Sequence, residues 1–241
     1  MTGLLDQLDA LQREFNARVI EDPILGGIVD GSISRAELIA VYREIWHCAR
    51  QTPVVLGIAA RSFELLGSED SRFAGPEYAR FKTPLYRALE RELWEHSAEE
   101  RGHDDWMLGD LVALGDDAAA VRGSSPGPAM AAYIACFQHA ARGPAPLGVA
   151  GQAFILEGVG VQLWGDAVET LIARSPIPEI ADAVVFLRRH AVIDVEHCAR
   201  ARERLARLED PRDRAAIVYN ARATVESWGR IGHDILRRRA A

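Results

Sequence analysis

The stretch EIADAVVFLRRHAVIDVEHCARARERLARL, residues 179–208, decides the fold class. Ala181, Val184, Val185, Leu187, Ala191 and Ile193 recur at helical rather than alternating spacing, which predicts a helix from Glu179 to about Leu208. Within it His190, Asp194 and His197 follow one another by four and then three residues, so they share one helix face about one turn apart. Burying two imidazoles and a carboxylate without partners costs several kcal/mol, and a cation removes much of that cost. This is metal-ligand spacing; the alternative is a surface face carrying a His-Asp pair.

Outward from this helix, helical periodicity runs almost end to end, and no β-branched run alternates with polar residues as a strand would. A first helix is expected from Leu4 to about Ile20, stopping at Asp22-Pro23. Ser34 with Glu37 forms a capping box that opens a second, running toward Gln51, where Pro53 ends or kinks it before a third segment reaches Leu66. Residues 67–82 read as a surface loop. Thr83-Pro84 opens a long helix through Leu114 that Gly115 closes, and Pro128 opens another ending near Gly143-Pro144. The apolar run from Leu147 to Arg174 carries Gly148, Gly151, Gly158, Gly160 and Gly165. Each interior glycine costs a helix about 1 kcal/mol relative to alanine, so the run points to close helix packing or to a ligand lying against the backbone. Asp210-Pro211 starts the last helix, running to Arg238. The expectation is an all-α chain of about seven to eight helices, one domain over residues 1–241.

The chain has 241 residues, 49% of them hydrophobic, and a mean hydropathy of -0.06, values of a globular protein. No apolar stretch approaches the roughly 20 residues of a membrane span, and Asp6 and Asp9 interrupt the place where a leader's apolar segment would sit. The expected setting is therefore the cytoplasm, with no membrane partner. A net charge of -7 disfavours nucleic acid, and Arg237 to Arg239 read as cations complementing a helix C-terminus. Cys48, Cys136 and Cys198 are too few and too scattered for a disulfide framework or a thiolate zinc site.

Two further elements add donors. Glu100 and His103, in EERGHDD, form a Glu-x-x-His pair of the kind bundle proteins use to hold iron or manganese. Glu92, Glu95, His96 and Glu99 read as the solvated face of the same helix, and Asp104 and Asp105 as partners that could orient His103. Glu44 and His47 make a weaker second copy. Glu157, set among Phe154, Ile155, Leu156 and Val159, is expected to be buried and to need a proton, a cation or a metal; its place between the other elements invites a bridging role. The six candidate ligands are thus Glu100, His103, Glu157, His190, Asp194 and His197, with Glu100, Glu157 and His190 the candidate catalytic groups. Mixed imidazole and carboxylate donors suit two Fe(II) ions per chain, with manganese the alternative, better than structural zinc.

These residues resemble the haem-oxygenase-like diiron oxidases and oxygenases. In that family a helical bundle supplies a Glu and His pair, a lone Glu in a Leu-Glu-Gly context and a His-x-x-x-Asp-x-x-His series, matched here by Glu100 and His103, by Glu157 before Gly158, and by His190, Asp194 and His197. Order and separations are similar to those of the fatty-acid decarboxylase that forms 1-undecene. The resemblance implies dioxygen activation and the desaturation, fragmentation or N-oxygenation of a small carboxylic or amino acid-type substrate. It allows for an electron donor and a homodimer. A departure lies at Glu44, His47, Arg50 and Gln51, which, if they face the site, imply a smaller amino- or guanidino-bearing substrate.

The rival readings are metal-free. A thiamin-salvage type hydrolase would use Cys136, near Tyr133 and His139, as nucleophile, and a cofactor-free oxidase would use histidines for proton transfer. Haem oxygenase would need a histidine on the first helix, which has none, and iron storage would need a cage. His139 and His233 have no assigned role.

Overall fold

The computed structural model describes residues 3–73 and 75–240; residues 1, 2, 74 and 241, of which the first two belong to the N-terminal stretch considered for a leader, lie outside it. Among the described residues every regular element is helical: α1 (Leu4–Glu21), α2 (Leu25–Asp30), α3 (Arg35–Leu66), α4 (Pro84–Glu99), α5 (His103–Ala113), α6 (Ala118–Gly123), α7 (Pro128–Arg142), α8 (Val149–Val159), α9 (Gly165–Arg174), α10 (Val185–Leu205), α11 (Pro211–Trp228) and α12 (Ile231–Ala240). The expected surface loop holds short 3-10 turns at Ser71–Phe73 and Pro76–Lys82.

The helix starts follow local chemistry. The Ser34 hydroxyl accepts from the Glu37 N–H while the Ser34 N–H donates to the Glu37 carboxylate at 3.1 Å, the reciprocal box that opens α3. Thr83 and Asp210 cap α4 and α11, each ahead of a proline at the first helical position. Pro53 does not end the second helix. α3 runs through it, with the Thr52 hydroxyl donating to the Cys48 carbonyl at 3.1 Å and Ser97 on α4 donating to the Pro53 carbonyl at 2.7 Å. Packing of α3 against α4, α5 and α7 outweighs the proline penalty of about 3 kcal/mol.

Two helices expected as single runs are broken. The segment from Pro84 to Leu114 turns at Gly102, whose φ of 86° is a left-handed conformation that glycine adopts without penalty. The last one breaks between Trp228 and Ile231. The ligand helix α10 also starts later than expected, at Val185, because Asp110 on α5 accepts from the Val185 and Phe186 N–H groups at 3.0 and 2.8 Å.

The glycine-bearing run is a continuous helix, Pro146–Arg174, that makes one π-helical turn at Gly160–Trp164. It corrects the expectation that no apolar stretch reaches the length of a span: its 29 residues and mean hydropathy of 1.2 suffice by length and composition. Here it is packed among α11, α1 and α10. Its glycines answer to close packing: a Cβ on Gly151 would overlap the backbone of Ile217 on α11, and one on Gly160 would overlap the Asp194 carboxylate.

The cap at Asp110 fixes the start of the helix that carries three candidate donors. Asp110→Ala is expected to lower stability by about 1 kcal/mol. Burial, partly offset by the two N–H groups, pushes the Asp110 carboxyl up to about 6. A carboxyl raised in the folded state binds its proton there first, so the wild-type advantage over Asp110→Ala grows as pH falls through about 6 toward the unfolded-state value near 4. Urea unfolding of both proteins between pH 7 and 5 checks this; a pH-independent difference would refute the assignment.

Candidate metal centre

Seven ionisable side chains meet between the α4–α5 corner, α8 and α10. Six are those expected from the sequence, and the seventh is His96. Glu100, His103, Glu157, Asp194 and His197 are buried, and His96 and His190 nearly so. Glu100 and His103 do not share a helix face. Glu100 caps the C-terminus of α4, His103 opens α5, and the Gly102 turn folds one back on the other so that His103 Nδ1 lies 3.1 Å from Glu100 Oε2.

Two groups of donors form around Glu100. His96, Glu100 and His197 offer ligand atoms all within 4.8 Å of one another, and so do Glu100, His103 and His190. Each group is two imidazoles and one carboxylate, a set that suits non-haem ferrous iron and leaves coordination positions open. The carboxylate common to both is Glu100 rather than Glu157, which instead lies 3.1 Å from His96 Nε2. Asp194 stands beside His197, Oδ1 to Nδ1 3.9 Å, against the π turn at Gly160.

The surroundings orient the rings. The Phe186 carbonyl takes the His190 Nδ1–H at 2.9 Å, which leaves Nε2 unprotonated and free to ligate. Trp106 stacks on His103 with centroids 4.1 Å apart. Asp104 and Asp105, expected to orient that ring, instead stand in the first turn of α5, where they complement its dipole. Glu99 is not simply solvated: it lies 3.2 Å from His197 Nε2 and pairs with Arg200 at 2.7 Å.

The electrostatics are those of a site short of positive charge. Burial, reinforced by Glu157 and Glu100, pushes the Asp194 carboxyl up to about 9. Burial works against a charge on His96 but is outweighed by Glu157 and Glu100, so that imidazole is pushed up to about 10. Burial also opposes ionisation of Glu100, yet the contacts with His103 and His96 hold it well below the usual carboxylate range. His190 and His197 are lowered, chiefly by burial, and so keep a lone pair at neutral pH. Among the described residues, Asp194 Oδ1 and His197 Nδ1 are buried without a hydrogen-bond partner. Orphaned donor atoms within one acid-rich cluster are what a bound cation would satisfy, and the residues present therefore fit iron.

A cavity of about 100 Å³ opens on the cluster, with Phe186, Leu156, Tyr133, Trp164 and Trp228 in its wall. From α3 it receives Ile45, Cys48, Ala49 and Thr52. Glu44, His47, Arg50 and Gln51 are elsewhere, which corrects the inference of an amino- or guanidino-binding face. Glu44 accepts from the Gly127 N–H and pairs with Arg238, His47 meets Ser124 at 3.0 Å, Gln51 bonds Gln138, and Arg50 lies over Trp46. Cys136 is likewise outside the cavity wall, 3.6 Å from Asn220, and His139 and His233 are exposed. The thiol in the wall is Cys48, which burial pushes up to about 12.

Residues 69–229, which hold all seven groups, match the haem-oxygenase-like family described as iron-containing redox enzymes. The chain belongs to this family. Its fold is also that of a heme oxygenase-like domain of unknown function from Shewanella denitrificans (TM-score 0.77, 17% identity, covering 100% of this chain and 94% of that one). A TenA homolog from Pseudomonas syringae (TM-score 0.74, 13% identity, 97% and 93% covered) and a CADD-like protein of unknown function from Nostoc punctiforme (TM-score 0.67, 15% identity, 98% and 97% covered) share it as well. No curated protein sequence matches the chain.

The signal that reveals His96 lies in the sequence. HSAEERGH at 96–103 and HAVIDVEH at 190–197 have the same spacing, histidine, then an acid four residues on, then histidine three further. The acids around His96 make the same stretch look like the solvated side of a helix.

Gly160→Ala would drive the Asp194 carboxylate out of its place. The expected result is ferrous binding weakened by about 10-fold or more, read by equilibrium dialysis, with the helical circular dichroism retained. Unchanged binding would remove Asp194 from the donor set.

Proposed function

We propose that this iron-containing redox enzyme is a diiron oxidase or oxygenase. It holds two ferrous ions on Glu100, His103, Glu157, His190, Asp194 and His197 and uses dioxygen to oxidise a small carboxylic or amino acid-type substrate. The observation that carries this reading is the pair of two-histidine, one-carboxylate groups sharing Glu100 at the edge of an apolar cavity. Ferrous ions bound there supply the electrons that reduce dioxygen.

The chain's own residues define the rest. The Phe186 carbonyl fixes the tautomer and direction of His190, and Trp106 fixes the plane of His103. Glu100, held as the carboxylate, presents an oxygen to each side. Phe186, Trp164 and Trp228 give the space beside the donors an apolar wall. The cavity wall holds no lysine or arginine among the described residues, so a charged end of the substrate has the cluster itself to meet, while its apolar body lies against the aromatic wall. At about 100 Å³ the space is smaller than the roughly 150 Å³ that takes up benzene, which favours a compact substrate over a long alkyl chain. Cys136, the nucleophile that a thiamin-salvage type hydrolase would need, lies outside the cavity wall, so that reading draws little support.

Anaerobic titration of the metal-free protein with ferrous iron is expected to saturate at two ions per chain. Admitting oxygen should then change the visible spectrum, and His190→Ala should abolish both effects. Short-chain carboxylic and amino acids added before oxygen are expected to alter the rate of that change and to yield oxidised products by mass spectrometry. A protein that binds no ferrous ion stoichiometrically would reject the reading.

A further inference from the structure

The donor arrangement is more regular than the six-residue set allows. The two His-x-x-x-acid-x-x-His stretches pair head to tail: the first histidine of one faces the last histidine of the other. His96 and His197 have ring centroids 4.8 Å apart, and His103 and His190 have theirs 4.9 Å apart. Glu100 lies within ligand reach of both pairs. His96 Nε2 stands 3.4 Å from Glu100 Oε1 and 3.1 Å from Glu157 Oε1. Two donors at right angles on one ion, with bonds of about 2.1 Å, are about 3 Å apart, which is the spacing His96 keeps to both carboxylates. The His96 side chain is 15% exposed, too enclosed for a solvated helix face.

We propose that His96 is a direct metal donor, a seventh one, so that each of the two positions is built from two imidazoles and the shared Glu100. The inference rests on the diiron reading above. It also makes the positions unequal. Glu157 and Asp194 both lie on the His96 and His197 side, which gives that position up to five protein donors, whereas the His103 and His190 position has three. The first binds its ion tightly and leaves little room for exchange. The second keeps open coordination positions, and donors of both positions line the cavity.

The bland alternative is that His96 only holds Glu157 by a hydrogen bond, and Co(II) substitution separates the two roles. The metal-free wild type, titrated with Co(II), is expected to bind two ions in two steps of unequal affinity. His96→Gln keeps a side chain able to hold a carboxylate but removes the imidazole. It is expected to weaken the tighter step by more than about 100-fold, beyond what loss of an orienting partner alone costs. One hyperfine-shifted, solvent-exchangeable ring N–H should also vanish from the proton spectrum of the Co(II) protein. His96→Gly with free imidazole is expected to recover the tight step, which tests the donor role even if His96→Gln perturbs folding. Two Co(II) bound with unchanged affinities and an unchanged set of shifted N–H signals in His96→Gln would overturn the proposal while leaving the diiron reading standing. A wild type that binds no Co(II) or Fe(II) would overturn both.

Discussion

Burying three carboxylates in one cluster is the constraint on which the rest of this structure depends. Burial disfavours the charge on each; Glu100, Glu157 and Asp194 repel one another in a medium that screens poorly, and the Asp194 carboxyl is raised first by its burial and then by the other two. Everything around them limits the cost. His96 sits between Glu100 and Glu157, and His103 covers the other oxygen of Glu100. A chain that kept this cluster only for stability would do better with leucines, since a buried ionic group is weak evidence for stability. The cluster stands within the part of the chain that matches an iron-containing redox family, and a binding role for it is what we propose.

Much of the fold was legible because its signals are local. The Ser34 box and the Thr83-Pro84 and Asp210-Pro211 starts each depend on a few neighbouring residues, and each appears where expected. What the sequence hid was set by distant partners. Pro53 should break α3 on its own, but the long contact with α4, α5 and α7 carries the helix through it. Gly102, tolerable in a helix at modest cost, instead becomes a left-handed corner. The start of α10 moves to Val185 because Asp110, far away in sequence, supplies its cap.

The site divides in the same way. His190, Asp194 and His197 were readable because helical spacing alone brings them together, and Glu157 because a lone acid among apolar residues is conspicuous. Glu100 and His103 are conspicuous by their Glu-x-x-His spacing, but they meet through the corner at Gly102 rather than within one helix. His96 sits on an acid-rich helix face of the kind that is usually solvated, but here α10 covers it. Glu44 and Arg50 show the converse. Their polarity answers to Gly127, Arg238 and Trp46, which no pattern within α3 discloses.

The left-handed turn at Gly102 has a consequence for how the molecule is assembled. It brings both ends of one donor stretch to a point that the remaining donors, on α8 and α10, reach only after a long excursion of the chain. An ion seated there closes two large loops at once, and loop closure of that kind is worth most when the intervening chain is long. On the proposed reading, iron occupancy and the folding equilibrium would be linked properties: without the ion the chain carries the repulsion of its own acids, and an ion held there would relieve it while cross-linking segments that are remote in sequence.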